Sequence, residues 1–243
     1  MFLRAFCFLL LLFNFEPSFS QSNKKEKQFG FDAGAIVPIN YFGAGSVELN
    51  GNNSFITLSS KIGYQFGMMM KTNYSDRFSI ENGIYYYRRN FKLTGYSDYS
   101  AGATLDSSDF GYVSYGIPIK GIIYIQLDKE FFLSTSVGAS IDFYASAVKS
   151  QGEQDYIYNV SDRARWINGA ISADLGLEWR SMKNGSFYFG AGVNIPISVI
   201  AVTKLRYYYN TQGRNDYDRY EDFFLRGNFF TLKFKYYLPV SIE

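Results

Sequence analysis

Long stretches of this chain alternate between apolar and polar side chains. In residues 187–202 every second position is apolar, and the positions between them hold mostly Gly, Ser, Asn and Tyr. Residues 131–147 and 225–240 repeat the pattern. Because neighbouring side chains of a strand point to opposite faces, this period predicts β-strands, and twelve or more alternating residues predict strands longer than the roughly five or six residues usual in soluble sheets.

The alternation marks eight segments joined by connections of two lengths. The predicted strands cover residues 28–38, 59–72, 77–93, 110–126, 131–147, 164–180, 187–202 and 225–240. Tight turns rich in Asn, Asp, Ser and Gly are predicted at 73–76, 127–130 and 181–185. Long polar loops are predicted at 39–58, 94–109, 148–163 and 203–224. This layout is typical of an all-β fold, an eight-stranded antiparallel transmembrane β-barrel with both termini on the periplasmic side.

A soluble lipocalin-like barrel or a β-sandwich would also alternate, so this alternative stays open. One predicted face carries Ile, Val, Leu and Phe with hardly a charge, whereas the other carries Gly, Ser, Tyr and charged residues. The second face suits a filled lumen better than a solvated exterior. The mean hydropathy of -0.14 and the lack of a run of 18 apolar residues exclude a bundle of membrane helices.

The first twenty residues have the layout of a secretory signal. Arg4 provides the positive charge, residues 5–15 are apolar but too few to span a membrane, and Ser18 and Ser20 place small side chains before Gln21. We therefore expect a cleaved signal peptide at residues 1–20 and an outer-membrane barrel domain at residues 21–243. The single cysteine, Cys7, falls in the cleaved part.

Aromatic residues make up 20% of the chain, and the alternation places many of them on the outward face near the short turns. The outward aromatic residues at that end are Phe29, Phe31, Phe78, Phe131, Trp179, Phe187, Phe189 and Tyr236. Aromatic side chains at this height form the girdle of a membrane barrel at the periplasmic interface.

The positions that alternate with these outward residues place a set of charged side chains in the predicted lumen. The predicted lumen charge network consists of Asp32, Lys61, Lys71, Glu81, Arg89, Lys120, Asp142, Asp174, Glu178, Lys233 and Lys235. The interior of an eight-stranded barrel has room only for side chains, and an unpaired charge buried in such a space destabilises the fold. We therefore expect these acids and bases to pair into a structural plug, with no open pore; a gated ion path is the alternative.

Several chemistries are excluded by composition. The chain has no histidine, which removes Ser-His and Cys-His catalysis and His-based metal sites. The 24 basic and 22 acidic residues leave a net charge of +2, which gives no reason to expect nucleic acid as a partner. An acidic cluster in residues 216–222 is mixed with arginines and lacks EF-hand spacing. We expect no catalytic site, no metal site and no cofactor.

Two local features carry separate predictions. Pro118 and Pro196 lie inside predicted strands, where each removes a ladder donor, so we interpret them as sites of local bulging. Within 39–58, two short runs at 46–49 and 54–58 could pair as an extra strand.

Two strands resemble a known family. The fourth reads Tyr115-Gly116-Ile117-Pro118-Ile119-Lys120, and the third reads Phe78-Ser79-Ile80-Glu81-Asn82-Gly83-Ile84-Tyr85-Tyr86. Together with the order of signal and eight strands, they are similar to the PorT-type outer membrane protein beta-barrel domain family. The resemblance implies an outer-membrane barrel and, through one member of that family, a role in protein secretion.

Two classes of function remain open at this point. The first is a non-catalytic interaction or structural protein of the Gram-negative outer membrane, with lipids around it and other envelope or secretion proteins as partners; the Tyr- and Arg-rich segment 203–224 would suit such contacts. The second is a small transporter or ligand-binding barrel for a hydrophobic solute, for which Ile36, Ile122, Ile200 and Val202 are the candidate inward apolar residues.

Overall fold

The protein consists almost entirely of antiparallel β-strands. The computed structural model describes residues 26–39, 46–47, 54–99, 102–153, 157–181, 183–207 and 219–239. Its strands are β1 (Glu26–Pro38), β2 (Ser46–Val47), β3 (Ser54–Ser75), β4 (Phe78–Tyr99), β5 (Gly102–Gln126), β6 (Phe131–Tyr144), β7 (Val148–Gln151), β8 (Ile157–Arg163), β9 (Ile167–Ser181), β10 (Gly185–Pro196), β11 (Ala201–Tyr207), β12 (Arg219–Leu225) and β13 (Phe229–Tyr237). Within these ranges, no helix is long and apolar enough to cross a membrane.

Eight of the strands close into a ring. The hydrogen-bonded order runs β1-β13-β10-β9-β6-β5-β4-β3, and β3 pairs in turn with β1. The closing ladder is antiparallel and extends from the pair Glu26–Asn73 to the pair Ile36–Gly63. Each strand of the ring therefore has two neighbours over part of its length, which removes the free edges of an open sheet.

Each of the eight predicted segments overlaps one strand of this ring, and the antiparallel all-β class is confirmed. The number of strands is larger than predicted, because the described residues form thirteen strands, of which eight make the ring. Two of the three predicted tight turns lie wholly in the described ranges, between β3 and β4 and between β5 and β6. The third, at 181–185, contains one residue outside them. The predicted signal peptide, residues 1–20, lies outside the described residues.

Beyond the barrel, four strands continue as a second sheet. The order of this sheet, β7-β8-β11-β12, repeats the barrel order β6-β9-β10-β13, because each upper strand follows or precedes one barrel strand across a short break. The breaks lie at residues 145–147, 164–166, 197–200 and 226–228. Backbone hydrogen bonds connect the breaks with one another and with neighbouring strands: Ala164 N donates to Ile200 O at 3.1 Å, and Ile200 N donates to Leu225 O, at the end of β12, at 2.7 Å.

The second sheet, which we call the upper sheet, packs on the wall formed by the extended strands β3, β4 and β5. The two layers enclose an apolar core. The buried residues of this upper core are Ile56, Phe91, Leu93, Phe110, Tyr112, Tyr144, Ile157, Ile200, Ala201, Leu205, Phe223 and Leu225. The prediction of long polar loops at 94–109, 148–163 and 203–224 is therefore wrong for their described parts, most of which form strands. Ile157, Leu205 and Phe223, which belong to the last two of these segments, are buried between the two layers, which short-range periodicity did not indicate.

The extra strand considered within 39–58 is present as β2. Ser46 pairs with Thr57, and Val47 pairs with Ile56 at the start of β3. This short ladder lies on the same edge of β3 as β1, at the end of β3 that β1 does not reach, since the β1–β3 ladder ends at the pair Ile36–Gly63. The prediction that the two runs of this segment pair with each other is confirmed for these residues.

The wall bulges at a different place from the one predicted. In β3, Lys61 pairs with Asn90 and Tyr64 pairs with Arg88, so Ile62 and Gly63 together oppose one residue of β4. At Pro118 the register is the same on both sides, and Pro196 is simply the last residue of β10. The bulges predicted at the two prolines are therefore wrong. The position of Gly63 is tight, since an added Cβ there would meet the carbonyl oxygen of Arg88.

Candidate functional site

The lumen is filled by large side chains from one half of the wall that project over small side chains of the other half. The inward positions of β6, β9 and β10 are dominated by small residues, including Ser134, Ser136, Gly138, Ser172 and Gly192. The inward positions of β3, β4, β5 and β13 carry the long ones, namely Lys71, Glu81, Tyr85, Tyr87, Lys120, Lys233, Lys235 and Tyr237. This division of sizes lets long polar side chains reach across the interior.

Ten of the eleven residues of the predicted lumen charge network are buried in the barrel interior. They are Asp32, Lys71, Glu81, Arg89, Lys120, Asp142, Asp174, Glu178, Lys233 and Lys235. Five are acidic and five are basic, so their formal charges cancel. Such a balance is what a water-poor interior requires of charged groups.

Lys61 does not belong to the network, and its assignment to the lumen is wrong. Its side chain is 48% exposed and pairs with Asp109, itself 59% exposed, at 2.8 Å. The reason is the bulge at Ile62 and Gly63, because one extra residue inverts the parity of β3 above that point. Extending the alternation of the lower strand through this bulge placed Lys61 on the wrong face.

The first cluster in the lumen is centred on Glu81. Lys235 Nζ donates to both carboxylate oxygens of Glu81, at 2.8 and 2.7 Å. The hydroxyl group of Tyr237 also donates to this carboxylate, and the Tyr85 hydroxyl lies 3.4 Å from Glu81 Oε1. Since β4 and β13 are three strands apart in the ring, the cluster connects distant parts of the wall.

The second cluster is centred on Asp174 of β9. Lys120 donates to Oδ2 at 2.8 Å and Lys233 to Oδ1 at 2.5 Å, and Ser136 adds a hydrogen bond to Oδ2 at 3.1 Å. One carboxylate therefore accepts from two buried ammonium groups on β5 and β13. Such charge-assisted hydrogen bonds satisfy both oxygens of the acid at once.

The third cluster crosses the full width of the barrel near the short turns. Lys71 of β3 donates to Glu178 Oε1 at 2.9 Å, and these two strands stand opposite each other, four places apart in the ring of eight. Arg180 donates to the same oxygen at 2.7 Å, and its guanidinium group lies 4.1 Å from the ring centroids of both Tyr124 and Phe132. A salt bridge and stacked rings thus close this end of the lumen.

The remaining charged members have polar partners instead of ion pairs. Gln65 donates to Asp32 at 2.6 Å, and Ser140 donates to Asp142 at 2.8 Å. Arg89 donates to the Ser114 hydroxyl group at 2.8 Å and to the carbonyl oxygen of Gly227 at 3.3 Å. The contact with Gly227 ties β4 to the break between β12 and β13, just below the upper core.

The outer wall of the barrel is the apolar counterpart of this interior. Exposed Ile, Leu, Val, Phe and Met side chains cover it on every barrel strand. A row of stacked rings crosses four strands near the short turns, with centroid distances of 6.5 Å for Phe131–Trp179, 5.5 Å for Trp179–Phe187 and 4.8 Å for Phe187–Tyr236. These rings occupy the end of the barrel where the sequence predicted an aromatic girdle.

A second aromatic row, which the sequence analysis did not identify, lies nearer the upper sheet. Tyr64 and Tyr86 are 6.1 Å apart, Tyr86 and Tyr115 are 5.7 Å apart, and Phe143 packs edge-on against Trp166 at 5.9 Å. We call the row near the short turns the lower row and this second row the upper row. On β4 the outward positions run from Phe78, at the height of the lower row, to Tyr86 of the upper row. The two rows together bound a band of exposed apolar side chains.

The apolar residues proposed for a hydrophobic solute do not share one site. Ile200 belongs to the upper core, whereas Ile36 packs in the barrel with Met69, Tyr85 and Phe229. Ile122 is buried on β5, and Val202 is only half-buried on β11. The described residues therefore give these four side chains no common surface that one ligand could contact.

Several polar residues of the lumen were missed from the sequence. Arg180 has the inward parity of Glu178, but its position at the end of a strand concealed it. Gln65, Tyr85 and Tyr237 are neutral, so a search for charges passed over them, although alternation places each on the inward face. Among the described residues, no cluster of three or more acidic or thiol side chains could hold a metal ion.

Comparison with known proteins shows a likeness in structure and no match in sequence. No family model and no curated protein sequence matches the chain. Among solved structures, the chain is similar to the crystal structure of the outer membrane protein OprG from Pseudomonas aeruginosa, with a TM-score of 0.49 and 10% sequence identity. The match covers 90% of this chain and 99% of that chain.

Proposed function

We propose that the protein is a non-catalytic β-barrel of the Gram-negative outer membrane, with a closed lumen and an interaction or structural role. Two features support a membrane location. In the described part of the chain, the exposed outer wall between the two aromatic rows carries no charged side chain and is apolar at nearly every position, whereas the charged side chains are inside. This arrangement is the reverse of a soluble barrel and matches the lipid-facing band of outer-membrane barrels, which is about 25 Å tall.

The main support for a closed lumen is the set of ion pairs that crosses it. Lys71 and Glu178 join opposite walls, and the Glu81 and Asp174 clusters join further strands. These side chains occupy the interior that an eight-stranded barrel has available. Above them the apolar upper core covers the mouth, so a steady flow of ions or polar solutes would need both layers to open.

The interaction role is supported by the part of the fold that lies outside the apolar band between the two aromatic rows. The upper sheet and the raised ends of β3, β4 and β5 form a two-layer head with its own apolar core. This head is not needed for the barrel to cross a membrane, but it provides a surface that other molecules could bind. We place its binding partners among envelope proteins.

The PorT-type resemblance extends this proposal to protein secretion. It rests on the motifs of β4 and β5, which supply Glu81 and Lys120 to the lumen clusters and Pro118 to the wall. In a strain that lacks the protein, secreted cargo should accumulate in the periplasm, and expression of the wild-type chain should restore its export. Normal cargo export without the protein would contradict the secretion role and leave the barrel proposal standing.

Two measurements test location and lumen separately. Carbonate extraction of membranes should leave the protein in the pellet; its release to the supernatant would contradict the membrane location. In a planar lipid bilayer, the purified barrel should give no steady current at moderate voltage. A stable conductance would contradict the closed lumen and favour the transporter, the second class of function considered.

A further inference from the structure

One strongly polar side chain interrupts the apolar band of the outer wall. Asn82 of β4 is exposed on the outward face, and its strand neighbours across the two ladders are Met70 and Ile119. No hydrogen bond within the described residues involves its amide group. Elsewhere on the outward face between the aromatic rows the described side chains are apolar or as weakly polar as Thr72 and Thr135.

Asn82 also sits at the depth where a polar group is most costly. It lies four residues after Phe78 of the lower aromatic row and four residues before Tyr86 of the upper row. With about 3.3 Å of rise per residue and a strand tilt of about 40°, each row is about 10 Å away. The side chain of asparagine is too short to reach either interface, and an acyl chain offers its amide no hydrogen bond.

We propose that the protein forms a parallel dimer in the membrane, in which the outer faces of β3, β4 and β5 of two copies meet across a two-fold axis at Asn82. The occupant is a second copy because an amide carries both a donor and an acceptor. Two copies of Asn82 related by a two-fold axis can therefore satisfy each other, as an isologous interface requires. This proposal rests on the membrane location proposed above.

The surroundings of Asn82 suit such a contact. A two-fold axis at β4 brings the β3 side of one copy against the β5 side of the other. From the β3 side across β4, an apolar groove of about 590 Å³ is lined by outward side chains that include Ala33, Phe66, Met68, Ile84, Tyr115 and Phe234. On the β5 side, Ile119 and Ile123 protrude and are 63% and 55% exposed.

Exchange of the two sides therefore brings the exposed isoleucines on β5 of each copy against the apolar β3 side of the other copy. Met68 and Met70 border the contact, and methionine side chains adapt readily to the shape of a partner. Interfaces inside membranes commonly combine such close packing with a few polar side chains that bond across them.

Crosslinking in native membranes tests the dimer. In a Cys7→Ser background, Ile84→Cys places a thiol on the outward face two residues from Asn82, whereas Ala191→Cys places one on the outward face of β10, on the opposite wall. A short bis-maleimide should crosslink Ile84→Cys into a dimer in at least about tenfold higher yield than Ala191→Cys. Equal yields at the two sites would overturn the proposal and leave lipid as the occupant.

The role of the amide is tested in the Ile84→Cys protein. Asn82→Leu should weaken dimerisation about tenfold, which corresponds to about 1.4 kcal/mol and to the strength of polar contacts between membrane segments. Ile80→Leu on the same face should leave the yield unchanged. An undiminished dimer in Asn82→Leu, or an adduct of Ile84→Cys with a different protein in place of the dimer, would overturn the proposal.

Each variant is first checked for a folded, membrane-bound state by carbonate extraction and by its migration on an unheated gel. Loss of the wild-type chain from the membrane pellet would contradict the membrane location itself. A membrane-bound chain that fails to crosslink at Ile84→Cys contradicts the dimer alone. The two proposals can therefore fail separately.

Discussion

Lys235 and Glu81 form a bidentate ion pair inside the barrel, with Nζ 2.8 and 2.7 Å from the two carboxylate oxygens and with both side chains almost fully buried. The residues are 154 positions apart in sequence. Their strands are not neighbours in the ring, so the contact passes through the lumen. The pair therefore links parts of the wall that the backbone ladders do not join directly.

Removal of one partner of this pair should be costly. Lys235→Met leaves the carboxylate of Glu81 buried with one partner fewer, and we expect it to lower the free energy of unfolding by about 3–5 kcal/mol. The double variant Glu81→Gln with Lys235→Met should recover much of this loss, because no uncompensated charge remains. Urea unfolding in lipid vesicles, followed by the mobility shift on unheated gels, measures both.

The exposed pair Lys61–Asp109 provides the matched control for that series. Its N–O distance of 2.8 Å lies within the range of 2.5 to 2.9 Å found in the buried pairs, but both side chains are about half exposed. Lys61→Met should therefore change the free energy of unfolding by at most about 1 kcal/mol. A cost at Lys61 as large as that at Lys235 would show that burial does not determine the strength of these pairs.

The small inward residues should tolerate no enlargement. A Cβ added at Gly138 would lie 2.7 Å from Lys120 Cγ and 2.8 Å from Lys120 Cα. We expect Gly138→Val to destabilise the barrel by at least about 2 kcal/mol through overpacking. Ala139→Val, on the adjacent outward position, should be close to neutral in the same unfolding measurement; similar losses at both sites would contradict the inward placement of Gly138.

The two tryptophans should report the two edges of the membrane band. The chain contains only Trp166 and Trp179, which stand just before the start and near the end of β9. In the single-tryptophan variants Trp166→Phe and Trp179→Phe, the remaining indole should be quenched most by lipids brominated near the headgroups. A tryptophan introduced by Val193→Trp in a Trp-free background should be quenched most by lipids brominated deeper in the chains.

The orientation of the barrel can be read from two surface sites. Lys149 of β7 lies in the upper sheet, and Asn184 lies in the tight turn between β9 and β10; both are exposed. In a Cys7→Ser background, an impermeant maleimide on intact cells should label Lys149→Cys and spare Asn184→Cys. Permeabilisation of the outer membrane should make Asn184→Cys reactive; the reverse order of labelling would show that the short turns face outward.

Alternation alone was sufficient to find the barrel strands and the faces of most of their residues. Side-chain direction in a strand has a fixed period of two, so ten lumen charges followed from parity. The same rule failed at Lys61, because the bulge at Ile62 and Gly63 inserts one extra residue into β3. No local pattern in the sequence indicates this bulge. Arg180 and the strand residues of the second aromatic row obey the same parity and could have been found from it. Trp166 is an exception, because it lies in the break before β9 and is exposed although it has the parity of the buried Asn168.

By itself, the sequence determined which faces of the eight strands are apolar and which carry charge, because those faces depend only on neighbours within one strand. The tertiary structure decided which charges meet: Lys71 with Glu178, Lys235 with Glu81, and Asp174 with two lysines. It also decided that the segments at 148–163 and 203–224 contribute strands to an upper sheet over an apolar core. These outcomes depend on ring closure and register, which bring together residues between 54 and 154 positions apart.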